Sequence, residues 1–223
     1  MLRYALAAAA TLVSAASGAQ SFEATCDALA PAADIQVSYA PAAAQLDESR
    51  GARDIKTDPK RDDSFRHLGV THATLLRDVD VRLAGFSDER TGRACAWPKV
   101  TLQLTVRPLL VELARELGAN ECMRNHVFQH EMQHVAIYNA AVGRAAAKLQ
   151  QEMRAYFNER QLFGDEGRLM RDVRTQINER WLARLDALIV ESEPEHEALD
   201  AAEEGQAYVV CGGALSQLVK AME

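Results

Sequence analysis

Residues 130–134 read His-Glu-Met-Gln-His, a string of residue types that can bind a metal and move protons. On an α-helix, residues four apart lie about 40° apart around the axis, so the imidazoles of His130 and His134 would share one face. Two rings in these positions can reach a single cation at about 2.1 Å each. Glu131 is turned by roughly 100° from His130, which would place its carboxylate near the cation without making it a ligand. The spacing predicts a metal site with a carboxylate beside it.

This arrangement suits metal-assisted hydrolysis. A zinc ion lowers the pKa of a bound water, and a neighbouring glutamate can accept a proton from that water. The water attacks a carbonyl that the metal polarises, and the glutamate carries the proton to the leaving amine. We therefore expect Zn2+ as the cofactor, His130 and His134 as ligands, and Glu131 as the general base. The alternative is an accidental pair of surface histidines on an acidic helix, because so short a motif also occurs by chance.

The segment 127–136 resembles the metal-binding helix of the zincin metallopeptidases. That match is specific over only about ten residues. The wider layout has a signal peptide, a strand pair with a cysteine in residues 93–97, and then the motif helix. It resembles uncharacterised bacterial secreted proteins that are predicted zinc-dependent proteases. The resemblance implies metallopeptidase activity, with His130 and His134 as ligands and Glu131 as base.

A catalytic zinc needs a third protein ligand and one open position. The metzincin continuation, in which Gly and His closely follow the second histidine, is absent from residues 135–139. A helical pattern over 169–188 would return the chain toward the motif and bring the polar cluster 193–200 near it. We predict His196 as the third ligand, because imidazole is a favoured zinc donor and the chain has only 6 histidines. An acidic cluster is also typical of a solvated helix start. The alternative ligands are Glu195, Glu197, Asp200 and Glu203.

Other polar residues are weaker candidates. His126 lies one turn before the motif and is interpreted as a surface histidine or as a residue that contacts a ligand. His67 and His72 are assigned no role. An electrophile that stabilises the tetrahedral oxyanion is expected. Tyr138 and Tyr208 are candidates, although buried tyrosines are commoner than catalytic ones.

The first half of the chain has strand patterns. Apolar and polar residues alternate in 35–39, 79–83 and 100–106, which is the period of a half-buried strand. A turn pattern at 87–92 predicts that the last two of these strands are antiparallel neighbours. The polar, aromatic-poor region 45–64 is predicted to be a long loop.

The second half has helical patterns. We predict a short helix over 109–117, a long helix from about Cys122 that carries the motif, and a second long helix through 169–188. Gly164-Asp165 would reverse the chain between the two long helices, and Pro194 would end the second. The tail from Ala198 to Met222 is predicted to be helical with an interruption near Gly212-Gly213.

The predicted fold class is α+β. We expect a small antiparallel sheet in the N-terminal half, followed by a long antiparallel helix pair that carries the metal site. Residues 20–223 are predicted to form a single zincin-like α+β domain, because roughly two hundred residues suit one domain.

Residues 1–19 have the pattern of a signal peptide. Arg3 supplies a positive charge, and an apolar run from Tyr4 to Val13 precedes small residues at 17–19. That run is too short for a permanent membrane anchor, and no lipobox precedes Cys26. We expect a periplasmic or secreted protein without a stable membrane anchor. The alternative is a buried N-terminal helix of an intracellular protein.

The four cysteines follow the predicted cleavage site, and an even number in an oxidising compartment indicates two disulfide bonds. Four cysteines allow three pairings. We prefer Cys26–Cys95 with Cys122–Cys211, which would crosslink the N-terminal part and the helical part separately. Close Cys-x-x-Cys spacing, which zinc sites use, is absent.

The net charge of −7, without a dense block of Lys and Arg, argues against nucleic acid as the main ligand. The oligomeric state is left open. The leading hypothesis is an exported zinc-dependent metallopeptidase that acts on protein or peptide substrates, with cell-wall peptides among the candidates. The competing hypothesis is a non-catalytic, zincin-derived binding or assembly protein of the envelope. Amide cleavage on a non-peptide substrate is a third possibility.

Overall fold

The computed structural model describes residues 21–29, 33–55, 68–118, 120–206 and 209–222. The predicted signal peptide, His67 and Tyr208 lie outside these ranges. The regular elements are α1 (Phe22–Asp27), β1 (Asp34–Tyr39), β2 (Gln45–Asp47), β3 (Gly69–Asp88), β4 (Arg93–Leu113), α2 (Glu121–Asn158), β5 (Leu162–Asp165), α3 (Glu166–Gln176), α4 (Leu182–Val190), α5 (Glu193–Gln206) and α6 (Ala214–Met222). Within these ranges, no helix has the length and apolar character that a membrane span requires.

The long strand β4 is the centre of the sheet. On one edge it pairs with β3 in antiparallel register. The other edge is shared by three shorter strands: β5 pairs antiparallel, whereas β1 and β2 both pair parallel. The sheet is therefore mixed, and the expectation of a small antiparallel sheet is wrong. The α+β class and the antiparallel pairing of β3 with β4 are confirmed.

The mixed sheet follows from the position of β4. Its side chains alternate between buried and exposed over much of its length, and Val100, Leu102 and Leu104 are all buried. The most apolar strand takes the middle of the sheet, where both of its edges are paired. β1 and β2 consequently lie beside β4 instead of beside β3. β1 and β4 run in the same direction, and both run opposite to β3.

The predicted short helix over 109–117 is also wrong. Residues 109–113 belong to β4, and only Arg115–Leu117 form a single 3-10 turn. The side chains of Leu109, Val111 and Leu113 are buried, which is the period of a strand. The leucines of this segment satisfy both periods, and pairing with β2 and β3 decides between them.

The two long helical patterns form an antiparallel pair, as expected. The first is α2, and the second is divided into α3, a π-helical turn at Ile177–Trp181, and α4. The Arg184 guanidinium donates two 2.9 Å hydrogen bonds to Glu152 of α2. One core lies between this helix pair and the β1 end of the sheet, and a second lies between the start of α2 and the β2 end. Pro194 lies in the first turn of α5, where a proline is tolerated.

Both disulfide bonds have the preferred pairing. Cys26 of α1 is bonded to Cys95 of β4. Cys122, in the first turn of α2, is bonded to Cys211, which precedes α6. The second bond holds the C-terminal segment against the beginning of the motif helix.

Candidate metal centre

The centre lies between α2 and α5. His126, His130 and His134 are four residues apart on α2 and therefore share one face. α5 continues the antiparallel course of the preceding helices along α2, and Arg144 donates a 2.6 Å hydrogen bond to Glu195 near its start. One face of α5 presents His196, Asp200 and Glu203 to the three histidines, because their spacings of four and three residues keep them aligned.

Three potential ligand atoms converge at this interface. Nε2 of His130 lies 3.1 Å from Nε2 of His134. Oδ1 of Asp200 lies 2.9 Å from Nε2 of His134 and 3.2 Å from Nε2 of His130. Tetrahedral zinc with bonds of about 2.0–2.1 Å separates its ligand atoms by roughly 3.3 Å. Two imidazole nitrogens and a carboxylate oxygen also form a common donor set for zinc, so both distances and chemistry fit this ion.

The predicted third ligand, His196, lies beside this group. Its Nδ1 is 2.8 Å from Nδ1 of His134, on the opposite side of that ring from the converging Nε2. The two rings are nearly parallel, with centroids 5.1 Å apart. A role for His196 as a ligand remains a prediction. The geometry favours Asp200, which the sequence offered as an alternative.

Burial disfavours the charged form of His134 and lowers its pKa, although neighbouring Asp200 acts in the opposite direction. The neutral imidazole is the form that binds metals. The side chains of His130 and His134 are each 14% exposed, so their nitrogens are partly shielded from water. The environment of the His134 ring therefore favours coordination over protonation.

Glu131 is turned away from solvent toward β3. It is 4% exposed, and the Thr71 hydroxyl donates a 2.8 Å hydrogen bond to its Oε2. Burial raises the pKa of Glu131 to about 7, the Thr71 hydrogen bond opposes this shift, and the negative charge of Asp200 adds to it. A carboxyl group with a pKa near neutrality can both accept and return a proton at physiological pH.

Gly69 makes the close approach of Glu131 to β3 possible. A Cβ atom at this position would lie 2.6 Å from Cγ1 of Val127 and 2.7 Å from Oε1 of Glu131. Either distance is too short for any other residue unless the side chains of Val127 and Glu131 shift. The glycine at the first position of β3 therefore leaves room for these two side chains of the motif helix.

The remaining candidates have other surroundings. His126 is paired through Nε2 with Oε1 of Glu203. His72 lies 2.7 Å from Glu112. Tyr138 packs against both cores, and burial raises its pKa. None of these three residues belongs to the converging group found within the described part of the chain.

The sequence interpretation did not identify Thr71 or Gly69. Both lie about sixty residues before the motif, and a threonine and a glycine near a strand start have no distinctive signal of their own. Glu203 was an alternative ligand, and its spacing of three residues from Asp200 could have indicated that the two share a helix face.

No family model, curated protein or solved structure matches this chain. The interpretation of the centre therefore depends on its geometry and on the chemistry of its residues.

Proposed function

We propose that this protein is an exported zinc-dependent hydrolase that cleaves peptide bonds. His130, His134 and Asp200 hold the metal, and Glu131 is the general base. The observation that carries the proposal is the convergence of three ligand atoms within 3.2 Å of one another. Glu131 follows the proposed ligand His130 in sequence, and burial raises the pKa of its carboxyl group to about 7.

Zinc at such a site supplies Lewis acidity toward a carbonyl oxygen and lowers the pKa of water. The side chain of Glu131 transfers the protons. The carboxylate of Glu131 accepts a proton from the attacking water and returns it to the leaving amine. Its pKa matches this task because both transfers occur near neutral pH. The Thr71 hydroxyl fixes the orientation of the carboxylate throughout.

Export is supported by the cysteines and the N-terminal pattern. Both pairs of cysteines form disulfide bonds, which persist in oxidising compartments. The first nineteen residues have the charge, apolar run and small residues of a signal peptide. We therefore place the protein in the periplasm or outside the cell. Its substrates are proteins or peptides, and cell-wall peptides are among the candidates.

A non-catalytic envelope protein that keeps zinc for structure is the second candidate. The observation that favours it is the burial of Glu131, which restricts the approach of solvent to the carboxylate. The two candidates differ in one respect: only the hydrolase needs the carboxylate of Glu131 to exchange protons.

The test compares the zinc-loaded wild type with Glu131→Gln and His134→Ala on a library of quenched fluorescent peptides. We expect wild-type cleavage that stops when a chelator removes the metal. Glu131→Gln should keep its zinc and lose cleavage, whereas His134→Ala should lose both. Equal behaviour of the wild type and Glu131→Gln on every peptide would support the non-catalytic candidate and contradict the hydrolase.

A further inference from the structure

Each ligating histidine has a second ring nitrogen that faces α5. Nδ1 of His134 lies 2.8 Å from Nδ1 of His196. Nδ1 of His130 is buried and has no hydrogen-bond partner among the described residues. Oε2 of Glu203 lies 3.9 Å from it. A buried imidazole nitrogen without a partner is costly, so this atom needs an acceptor.

The residues of α5 that face the two histidines lie along one side of that helix. His196 and Glu203 flank Asp200 by four and three residues, so the three side chains lie on one face of the helix. Asp200 faces the converging Nε2 atoms, whereas the other two face the outer nitrogens of the rings. A single helix therefore supplies both the third ligand and a partner for each ligating histidine.

We propose that His196 and Glu203 are positioning residues of the metal centre, which act through His134 and His130 respectively. This inference depends on the proposed zinc site. His196 accepts a hydrogen bond from Nδ1–H of His134. Glu203 accepts one from Nδ1–H of His130, through rotation of its side chain or through a bridging water that spans the 3.9 Å gap.

These hydrogen bonds select the tautomer that can bind a metal. A proton held on Nδ1 leaves the lone pair of Nε2 free, and Nε2 is the converging atom of both rings. The acceptor also fixes the rotation of the ring about its bond to the backbone. The second oxygen of Glu203 is held by His126, so this histidine has an indirect role in orienting His130.

The same contacts hold α5 in place. Within residues 193–203, no side chain of α5 is buried. Its position on α2 thus depends on polar contacts instead of an apolar face. Because a purely structural role would also weaken zinc binding, the test must separate the orientation of the rings from the docking of the helix.

The experiment measures zinc affinity by chelator competition on the full mature chain with intact disulfides. His196→Ala and Glu203→Ala should each weaken zinc binding by about 10–100-fold while one zinc per chain is retained. His196→Asn should recover most of the loss, because its amide oxygen can occupy the position of Nδ1. His196→Gln should not, since its amide group extends to the position of Nε2. Glu197→Ala, on the same helix and exposed, is the matched control.

The Asn and Gln variants differ by one methylene and dock α5 alike, so a difference between them reports on the hydrogen bond. Visible absorption of the cobalt-substituted protein should show an unchanged ligand set in His196→Ala, whereas Asp200→Ala should bind too little cobalt to give this spectrum. The proposal is overturned if the affinity of His196→Ala equals that of Glu197→Ala, or if Asn and Gln have equal effects. It is also overturned if His196→Ala loses the metal and Asp200→Ala keeps it, because His196 would then be a ligand. A wild-type protein without zinc affinity contradicts the proposed function, and the positioning role with it.

Discussion

Two glutamates of this protein are equally buried but differ in their neighbours. Glu112 is 3% exposed and Glu131 is 4% exposed. Glu112 accepts a 2.9 Å hydrogen bond from the Arg50 guanidinium and lies 2.7 Å from His72. Among the described residues, the side chain that donates to the Glu131 carboxyl group is Thr71, whose hydroxyl is neutral. Because residues 71 and 72 are successive in β3, the two carboxyl groups lie on opposite faces of the sheet.

The comparison shows that burial alone does not indicate a functional carboxyl group. A buried charge is costly unless it is paired and hydrogen-bonded. Glu112 meets that requirement with a permanent cation, which is typical of a structural ion pair. Glu131 does not, and its pKa is raised to about 7 as a result. This carboxyl group belongs to the residue that follows His130 in sequence, and a strongly raised pKa is common at functional sites.

The largest expected difference between the two glutamates is in catalysis. Glu131→Gln should lower turnover of a cleaved peptide by about 10²–10⁴-fold, because the amide cannot accept a proton. Glu112→Gln should leave turnover close to that of the wild type. Steady-state kinetics on zinc-loaded proteins provide the measurement. A comparable loss in both variants would contradict the division of roles.

The next difference is in the pH dependence of stability. Burial raises the pKa of Glu131 from 4.5 to about 7, so the folded metal-free protein retains a proton that the unfolded chain releases in this range. Stability from this group is fully present below pH 4.5 and falls as the pH rises toward 7, by roughly 3 kcal/mol. Glu131→Gln should remove this decline. Denaturant unfolding of both metal-free proteins at pH 5 and pH 8 measures it, and parallel pH profiles would contradict it.

At pH 8, Glu112→Gln should change the free energy of unfolding in the opposite direction to Glu131→Gln. Glu112→Gln weakens a charge-assisted hydrogen bond to Arg50, with an expected cost of about 1–3 kcal/mol. The free energy of unfolding from urea titrations provides the measurement. If Glu112→Gln stabilised the protein as Glu131→Gln does, the ion pair would not compensate for the burial of Glu112.

The smallest expected effect concerns the Thr71 hydroxyl, which donates a hydrogen bond to Glu131. Thr71→Val removes the hydrogen bond that holds down the pKa of Glu131, so this pKa should rise further. The metal-free protein should lose about 1 kcal/mol at pH 8. Thr71→Ser keeps the hydroxyl group and is the matched control. Equal pH profiles for the valine and serine variants would show that the hydrogen bond has no influence.

The local part of the centre could be predicted from the sequence. The spacing of His130 and His134 has a fixed meaning once the segment is helical, and the helix did form. The return of residues 193–203 to the motif was also predictable, since an antiparallel course brings a later segment back along α2. The choice between His196 and Asp200 was not predictable, because it depends on which side of the His134 ring each side chain reaches.

Features that depend on residues far apart in the chain could not be predicted from the sequence. The direction of β1 relative to β4 depends on which strand occupies the middle of the sheet, and alternation within a strand does not contain that information. The leucines at 109–113 fit a helix and a strand equally well. Thr71 reaches Glu131 across sixty residues of chain, and no local pattern marks such a contact.

The central claim is that His130, His134 and Asp200 together hold one metal ion. Zinc content after equilibrium dialysis of the purified wild type, Asp200→Ala and Glu197→Ala tests it most directly. We predict about one zinc per chain in the wild type and in Glu197→Ala, and less than about a tenth of that in Asp200→Ala. A wild type without zinc, or an Asp200→Ala variant that retains it fully, would contradict this assignment.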